Sequence, residues 1–351
     1  MSKSTTKYIL KRVAISLVTL FVILIVLFLM VRFLPGSPIN NEKLSEAQRA
    51  VIEAKYGLDQ PLMIQFVNYI KSMVTGDFGV SFNMYKDMPV ASLVGSAAKL
   101  SFTYGIIAVF IGTVIGMLLG VFAALHRNTI WDTLATVFSV LGVSIPSFVF
   151  AFFILIVFAS QLKILPTAYN SFNPIVSSIM PILALSMGVI ANVARFTRTE
   201  MISVLNSEYM TLAKAKGLDR KTLILKHALR NALIPVITIL GPILVNLMTG
   251  TMVVEQICSV PGLGKLLILS IQSSDYNIIL ACSFLYAVMY IFMTVSYTHL
   301  DHSFDVWYDP DYHNKIGIDG GLAVGEKGQL NCLCLNDGSV TVIKYGEGQL
   351  K

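Results

Sequence analysis

Long uncharged apolar runs alternate with short charged stretches along the first 300 residues of the chain. The first run, residues 13–31, lies between the basic pair Lys11 and Arg12 on one side and Arg32 on the other. A helix over its 19 residues spans about 28 Å at 1.5 Å per residue, close to the thickness of the hydrocarbon core of a bilayer. The pattern predicts six membrane spans, at about residues 13–31, 100–125, 134–162, 175–193, 231–254 and 278–295.

The first run has an alternative interpretation as a secretory signal peptide, because basic residues precede it. Its apolar part is longer than the usual 7–15 residues of such peptides, and residues 33–38 lack a small-x-small cleavage pattern. We therefore expect the first helix to be retained.

Two of the runs carry residues that predict how their helices pack. Gly112, Gly116 and Gly120 recur every four residues, so they share one helix face and would permit close approach of a second helix. Pro146 lies inside the third run and predicts a kink or break there, because proline removes a backbone hydrogen bond.

The composition agrees with a polytopic membrane protein. Charged residues make up 13% of the chain and hydrophobic residues 55%, whereas soluble domains carry about 25% charged residues. A disordered protein and an ordinary cytosolic enzyme are excluded on this ground. The four cysteines are too few and too scattered for a secreted disulfide framework.

The distribution of lysine and arginine predicts the orientation. The N-terminal segment is basic, and residues 195–230 carry eight Lys or Arg against three Asp or Glu, whereas residues 32–99 are nearly balanced. Basic loops stay on the cytoplasmic side. The chain is therefore expected in the cytoplasmic membrane with both termini in the cytoplasm.

Residues 195–230 predict two short helices joined by a tight turn. Asn206 or Ser207 can cap the first helix, and Gly217 can end it in a left-handed conformation. Asp219 can cap the second helix, on which Leu223, His227 and Arg230 lie close to one face.

The segment EYMTLAKAKGL, followed by HALRNALIP, resembles the ATPase-docking loop of ABC importer permeases in the oligopeptide, dipeptide and nickel branch. LPGSP, KYGLDQPLMIQFVNYIKSMVTGDFGVSF and CSVPGLGKLL resemble the same branch, so the resemblance covers residues 7–295. It implies an all-α transmembrane fold, that of a six-helix type I importer permease with cytoplasmic coupling helices. The alternative is a basic loop that merely follows the orientation rule. The ATPase-docking positions that the resemblance implies are Glu208, Tyr209, Ala213, Lys214, Ala215, Lys216, Gly217 and Leu218.

The resemblance implies a pore-forming permease that imports peptides, or alternatively nickel or another small solute. Its partners would be a second homologous permease, two cytoplasmic ATPases, an extracellular solute-binding protein and membrane lipid, with no nucleic acid and no cofactor. The chain has no G-x-x-x-x-G-K-[ST] loop, so ATP would be hydrolysed by the partners and the chain would not be an enzyme. The predicted spans 100–125, 134–162 and 231–254 carry no charge, which argues against an ion-coupled carrier, and a stand-alone carrier or channel is the rival interpretation. No residue is singled out for substrate or metal binding.

Residues 296–351 interrupt this pattern. VSYTHLD, at 295–301, resembles the translation of a sequencing-library adapter, and HNKIGIDGG with QLNCLCLNDGSVTVI resembles the C-terminal strands of calcineurin-like metallophosphoesterases. Alternation at 330–335 and 339–343, with Asn-Asp-Gly between, predicts a β-hairpin. A phosphoesterase site would need further metal ligands that the chain lacks. We predict a permease domain at 1–295 and a foreign or chimeric soluble tail at 296–351; a genuine cytoplasmic extension or a membrane-anchored phosphoesterase is the alternative.

Overall fold

A computed structural model describes residues 3–33, 54, 57 and 59–300, together with four short strands beyond them. The chain divides into two compact units, Met1–Val295 and Ser296–Lys351. The LPGSP block lies outside the described residues.

The described part of the first unit consists of helices joined by turns and loops, with an isolated β-bridge between Val80 and Pro89. Two π-helical segments, Leu155–Gln161 and Leu223–Ala228, directly follow the helices Ser147–Ile154 and Arg220–Thr222. The helices are α1 (Lys3–Phe33), α2 (Leu62–Thr75), α3 (Val90–Leu125), α4 (Ile130–Ser144), α5 (Ser147–Ile154), α6 (Pro174–Leu205), α7 (Glu208–Ala215), α8 (Arg220–Thr222), α9 (Leu229–Ile257), α10 (Leu263–Gln272) and α11 (Tyr276–Leu300).

Every predicted span overlaps a helix, but the number of spans stays a prediction. Four helices among the described residues are long and apolar enough to cross a membrane: α1, α3, α6 and α11. The number rises to six if each of two bent pairs counts as one span. The first pair is α4 with α5 and its π-helical continuation, and the second runs from Arg220 to Leu244 with a bend before Pro235.

The break predicted at Pro146 is present. α4 ends at Ser144 and α5 begins at Ser147, and the two segments meet at 103°. Pro146 lies directly before α5 with φ −58°, which its ring fixes and which suits the start of a helix. The third run is therefore two helical pieces rather than one straight helix.

The close helix approach predicted from the glycine stripe is confirmed. Gly112, Gly116 and Gly120 of α3 all face α6, and a Cβ atom at any of them would collide with that helix. At Gly116 it would lie 2.8 Å from both the carbonyl oxygen of Ile190 and Cβ of Val193. The missing side chains let the two longest spans pack backbone against backbone.

Two helices extend well beyond the apolar runs that predicted them. α3 begins at Val90, ten residues before the predicted start, because Val90, Val94, Ala97 and Ala98 are buried in a core with α1, α2, α10 and α11. α6 continues to Leu205, twelve residues past the predicted end, because Thr197 and Met201 are buried on its inner face. The length of the apolar run underestimates both helices, since each helix continues past charged residues that are exposed, such as Lys99 and Arg195, or paired, such as Arg198.

The helix after GLDQPL buries a different face from the predicted one. The expected face held Leu62, Phe66 and Ile70; Phe66 and Ile70 do pack against the core, but Leu62 is exposed. The centre of the buried face is instead Gln65, Tyr69 and Met73. Phe28 of α1 stacks on Tyr69 with ring centroids 5.6 Å apart, so aromatic contacts set the rotation of α2.

A buried carboxylate joins three helices of the first unit. Glu255 near the end of α9 is 2% exposed, and it accepts hydrogen bonds from the Ser101 hydroxyl at 2.5 Å and from the backbone N–H groups of Gly264 and Lys265 at 2.8 and 3.2 Å. Ser101 Oγ in turn accepts from the Leu263 N–H at 2.8 Å. The carboxylate thus caps α10 and ties it to α3 and α9.

A second carboxylate holds the segment after α2 against the start of α11. One oxygen of Asp275, Oδ2, accepts from the Ser81 hydroxyl at 2.5 Å and from the backbone N–H groups of Asn83 and Met84 at 3.0 and 3.1 Å. These bonds fix the turn that leads into α3.

In the second unit the described backbone forms two antiparallel pairs. β1 (Trp307–Tyr308) pairs with β2 (Ile316–Gly317), and β3 (Leu330–Asn336) pairs with β4 (Ser339–Tyr345). The last residue of β3, Asn336, stands opposite the first residue of β4, Ser339.

Candidate functional site

The segment between α6 and α9 forms a short helix, α7, that is separated from both by turns. α7 begins after Ser207, whose backbone is extended, and Ser207 Oγ donates to the carbonyl of Val204 at 2.6 Å instead of capping α7. Glu208 lies in the first turn and Lys214 in the last. This placement of charge complements the helix dipole.

The predicted turn after α7 is present. Gly217 has φ +78°, a left-handed conformation that favours glycine. Asp219 then caps α8, and its Oδ2 accepts from the Thr222 N–H at 3.1 Å. Hydrogen bonds from the side chain and backbone of Thr222 hold the pKa of the Asp219 carboxyl below its usual value. The turn therefore fixes the direction in which the chain leaves α7.

One face of α7 is buried in an apolar cluster that joins several helices. Met210 and Ala213 lie one turn apart and are both buried. They pack with residues from the ends of α3 and α6, from the π-helical segment and from the start of α9: Ala124, Met201, Leu223, Ala228 and Ala232. We call this set the loop cluster; it joins α7 to side chains that belong to three candidate spans.

The opposite face of α7 and the turn after it expose apolar side chains. Leu212 is 58% exposed, Tyr209 is 41% exposed and Leu218 is 38% exposed. Tyr209 is held in place by its hydroxyl oxygen, which accepts from Asn231 Nδ2 at 2.8 Å. Glu208, Lys214 and Lys216 are exposed beside them. The result is an apolar patch bordered by both signs of charge.

The structure gathers most of the predicted docking residues on this one surface. Glu208, Tyr209, Lys214, Ala215, Lys216, Gly217 and Leu218 are all exposed there, whereas Ala213 points into the loop cluster. The sequence interpretation did not include Met210, which anchors α7, or Leu212, the most exposed apolar side chain on it. The pairing of Met210 with Ala213 at i and i+3 was the available signal.

An ion pair lies between α4 and the last part of α6. Nε of Arg198 donates to one oxygen of Asp132 at 2.5 Å, and Nη2 donates to the other at 2.8 Å. The backbone N–H of Asn128 also donates to Asp132, at 3.1 Å. Asp132 is buried and Arg198 is partly buried. The predicted spans 134–162 and 175–193 exclude both residues by a few positions, so the sequence pattern does not reveal the pair.

No metal centre is present in the part of the chain that the structure describes, since no group of three or more His, Cys, Asp or Glu side chains could hold an ion there. The exposed surface of α7 consists of the apolar patch and the bordering charges.

Comparison with known proteins assigns the family. The family described as binding-protein-dependent transport system inner membrane component matches residues 116–306, and the N-terminal family of the same membrane components matches residues 5–94. The dipeptide transport system permease protein DppB of Lactococcus lactis is 41% identical over 284 residues, covering 81% of this chain and 92% of that protein.

Two other relatives give the same result. The dipeptide permease DppB of Bacillus subtilis is 40% identical over 288 residues, covering 82% of this chain and 92% of its own length. The oligopeptide transport system permease protein OppB of Escherichia coli is 41% identical over 280 residues, covering 80% and 91%. With its helical first unit, the chain therefore belongs to the family of inner-membrane permease components of binding-protein-dependent ABC transport systems.

Proposed function

We propose that this chain is a pore-forming subunit of an ATP-driven peptide importer, and that α7 is the helix on which a cytoplasmic ATPase docks. The observation that carries the docking role is the division of α7 into two faces. One face is buried in the loop cluster, and the other exposes Tyr209 and Leu212 to a partner. Exposed apolar side chains rimmed by charge are typical of a binding surface.

The relatives support peptides as the substrate class, because they are named dipeptide and oligopeptide permeases. Dipeptides and oligopeptides both fit the proposal, with nickel or another small solute as the less favoured alternative. The family consists of membrane permease subunits and not of enzymes, so the bond-breaking step belongs to the ATPase partners.

The assembly would contain a second, homologous permease, two ATPases and an extracellular binding protein. The basic segment 195–230 supports a cytoplasmic position for α7, with both chain termini on the same side. ATP-driven closure of the ATPases would displace α7, and the loop cluster would carry that displacement to α3, α6 and α9. The transport cavity of the pore would then open alternately to the two sides of the membrane.

A carboxylate in the middle of the exposed patch is expected to abolish docking. Leu212→Asp removes a contact worth about 1.5–3 kcal/mol if the leucine is fully buried by the partner, and it forces a charge out of water. Since 1.4 kcal/mol is a tenfold change in affinity, we expect the permease to bind the ATPase at least tenfold more weakly, measured as a raised Kd and as loss of ATPase from the purified permease, together with loss of ATP-dependent uptake of radiolabelled di- and trialanine.

Met63→Asp is the matched control, because Met63 is also a highly exposed apolar side chain but lies on α2, far from α7 in the chain. It should retain the ATPases at the level of the unaltered protein. Equal retention by the Leu212 and Met63 variants would contradict the docking role of α7. Absence of ATPases from the unaltered complex would favour the stand-alone carrier instead.

We also infer that residues 296–351 take no part in transport. The inference rests on the change of sequence pattern near residue 295 and on the two resemblances of the tail, to an adapter translation and to phosphoesterase strands. A single long sequencing read across the gene tests it. A reading frame that leaves this sequence near residue 295 is expected; a read that reproduces residues 296–351 would overturn the inference.

A further inference from the structure

α4 packs against the rest of the first unit through few buried residues. Of its fifteen residues, only Asp132, Ser139 and Gly142 are buried. Gly142 packs directly against Ala191 of α6, where a Cβ atom would lie 2.6 Å from the alanine Cβ. The Ser139 hydroxyl donates to the carbonyl of Ala135 on α4 itself, so it makes no bond to α6. The first half of α4 is therefore fastened mainly through Asp132, beside an edge contact of Trp131 with Phe122 of α3 at 6.4 Å between ring centroids.

The ion pair between Asp132 and Arg198 depends on the orientation of the two side chains as well as on their charges. Arg198 presents Nε and Nη2 to the two carboxylate oxygens, a paired arrangement that fixes both the distance and the relative orientation of the two side chains. The Asn128 N–H donates to the same carboxylate from the turn before α4. The pair thus locks the start of α4 and its preceding turn onto α6.

Arg198 also lies next to the part of α6 that contacts α7. Met201 follows it by three residues, on a neighbouring position of the same helix face, and is fully buried in the loop cluster with Met210 of α7. On the other side, the Arg198 backbone N–H lies against Gly120 of α3. One turn of α6 therefore contacts α3, α4 and the anchor of α7.

We propose that the Asp132–Arg198 ion pair is a positioning element that makes α4 follow α7 during transport. This inference rests on the proposed docking of an ATPase on α7. Displacement of α7 passes through Met210 and Met201 to the end of α6, and the ion pair carries it to α4. Because α4 leads to the break at Pro146, the motion is delivered to the more strongly bent of the two bent helix pairs within the described residues, at 103°.

An ion pair suits this role better than an apolar contact would. Apolar side chains slide past one another at little cost, whereas two parallel hydrogen bonds to a carboxylate are lost together when either helix rotates. Leaving one partner buried without the other is costly. The ion pair therefore keeps the position and rotation of α4 relative to α6 unchanged while both helices move.

The test uses the complete transporter in proteoliposomes, with the two permeases, both ATPases and the binding protein. Asp132→Asn and Arg198→Gln remove the ion pair, and Arg198→Lys keeps the charge but not the paired hydrogen bonds. Arg195→Gln removes an exposed arginine one turn earlier on the same helix and serves as the matched control. For each variant we would measure the amount of radiolabelled di- and trialanine transported per ATP hydrolysed. ATPase retention and the midpoint temperature of thermal unfolding (the thermal midpoint) are measured as well.

We expect all variants to retain the ATPases and to hydrolyse ATP, since α7 and the loop cluster are unchanged. Coupling between linked sites commonly amounts to a factor of 5–150, and peptide moved per ATP should fall about tenfold in Asp132→Asn and Arg198→Gln. It should fall less in Arg198→Lys and stay unchanged in Arg195→Gln. The reversed pair, Asp132→Arg with Arg198→Asp, should recover a large part of the loss.

Two results would overturn the positioning role. The first is an unchanged ratio of peptide to ATP in both Asp132→Asn and Arg198→Gln. The second is loss of the ATPases from these variants at an unchanged thermal midpoint, which would mean that the pair holds the docking surface itself. If the unaltered complex retains no ATPase, the proposed function fails first and this inference fails with it, so the two failures are distinguishable.

Discussion

Replacing Gly112, Gly116 and Gly120 together by alanine is expected to leave almost no folded permease. At each position the new Cβ would overlap α6, against Val189, Val193 or Thr197, and against the backbone carbonyl oxygens of that helix. Backbone atoms cannot rotate away as the end of a flexible side chain can. Each collision is expected to cost about 1–3 kcal/mol, and three of them form a large part of a total stability of about 5–15 kcal/mol.

The measurement is the fraction of expressed permease that stays monodisperse in detergent, together with its thermal midpoint. Gly95→Ala is the matched control, because Gly95 lies on the same helix and a Cβ atom there would meet nothing within 4 Å. In the control, alanine should be neutral or slightly stabilising, since it is the better helix former by about 1 kcal/mol. Gly188→Ala on α6 serves in the same way.

A triple variant as stable as the Gly95 control would mean that α3 and α6 do not approach as closely as described. An intermediate result is informative as well. If Gly120→Ala alone causes most of the loss, the approach to the carbonyl oxygen of Ala194, at 2.6 Å from the added Cβ, is the tightest backbone contact of the pair.

Features encoded by neighbouring residues were predictable from the sequence. The glycine stripe on α3, the break at Pro146, the left-handed turn at Gly217 and the cap at Asp219 each follow from the conformational needs of a single residue type. They need no knowledge of a distant partner. The presence of a short helix between two turns at the candidate site was predictable for the same reason.

The buried charges were not predictable in the same way, because their partners are far away in the chain. Arg198 is 66 residues from Asp132, and Ser101 is 154 residues from Glu255. Each of these charged residues lies beside an apolar run. In a sequence pattern, such a residue is taken as the end of the run. In the folded chain the helix continues past it, because the partner satisfies the charge inside the bundle.

The docking surface was predictable as a set of neighbouring positions but not in its division into two faces. The resemblance groups Ala213 with the exposed residues, whereas the structure buries it with Met210. Burial at that position depends on Leu223 and on residues of α3 and α6, which the local pattern does not reveal. The exposed residues of α7 can therefore be identified only once its buried residues are known.

Glu255→Leu is expected to prevent α10 from docking on the bundle. Without the carboxylate, the hydroxyl of Ser101 and the backbone N–H groups of Gly264 and Lys265 lose their acceptor in a site closed to water. A buried donor without an acceptor costs about 1–3 kcal/mol. We expect a collapse of the thermal midpoint and loss of the monodisperse fraction, nearly as severe as in the triple glycine variant.

Glu255→Gln separates the hydrogen bonds from the packing, because the amide has the shape of the carboxylate. Its oxygen can still accept from Gly264 and Lys265, and its NH₂ group can donate to Ser101 Oγ, so only the serine proton loses its acceptor. This variant should therefore stay folded with a small loss of stability. Gly262→Ala should behave like Glu255→Leu, because its Cβ would occupy the space of the carboxylate. If glutamine and leucine destabilise the permease equally, the negative charge itself holds α10 in place; if neither does, α10 is held by its apolar contacts with Val94, Tyr276 and their neighbours in the core.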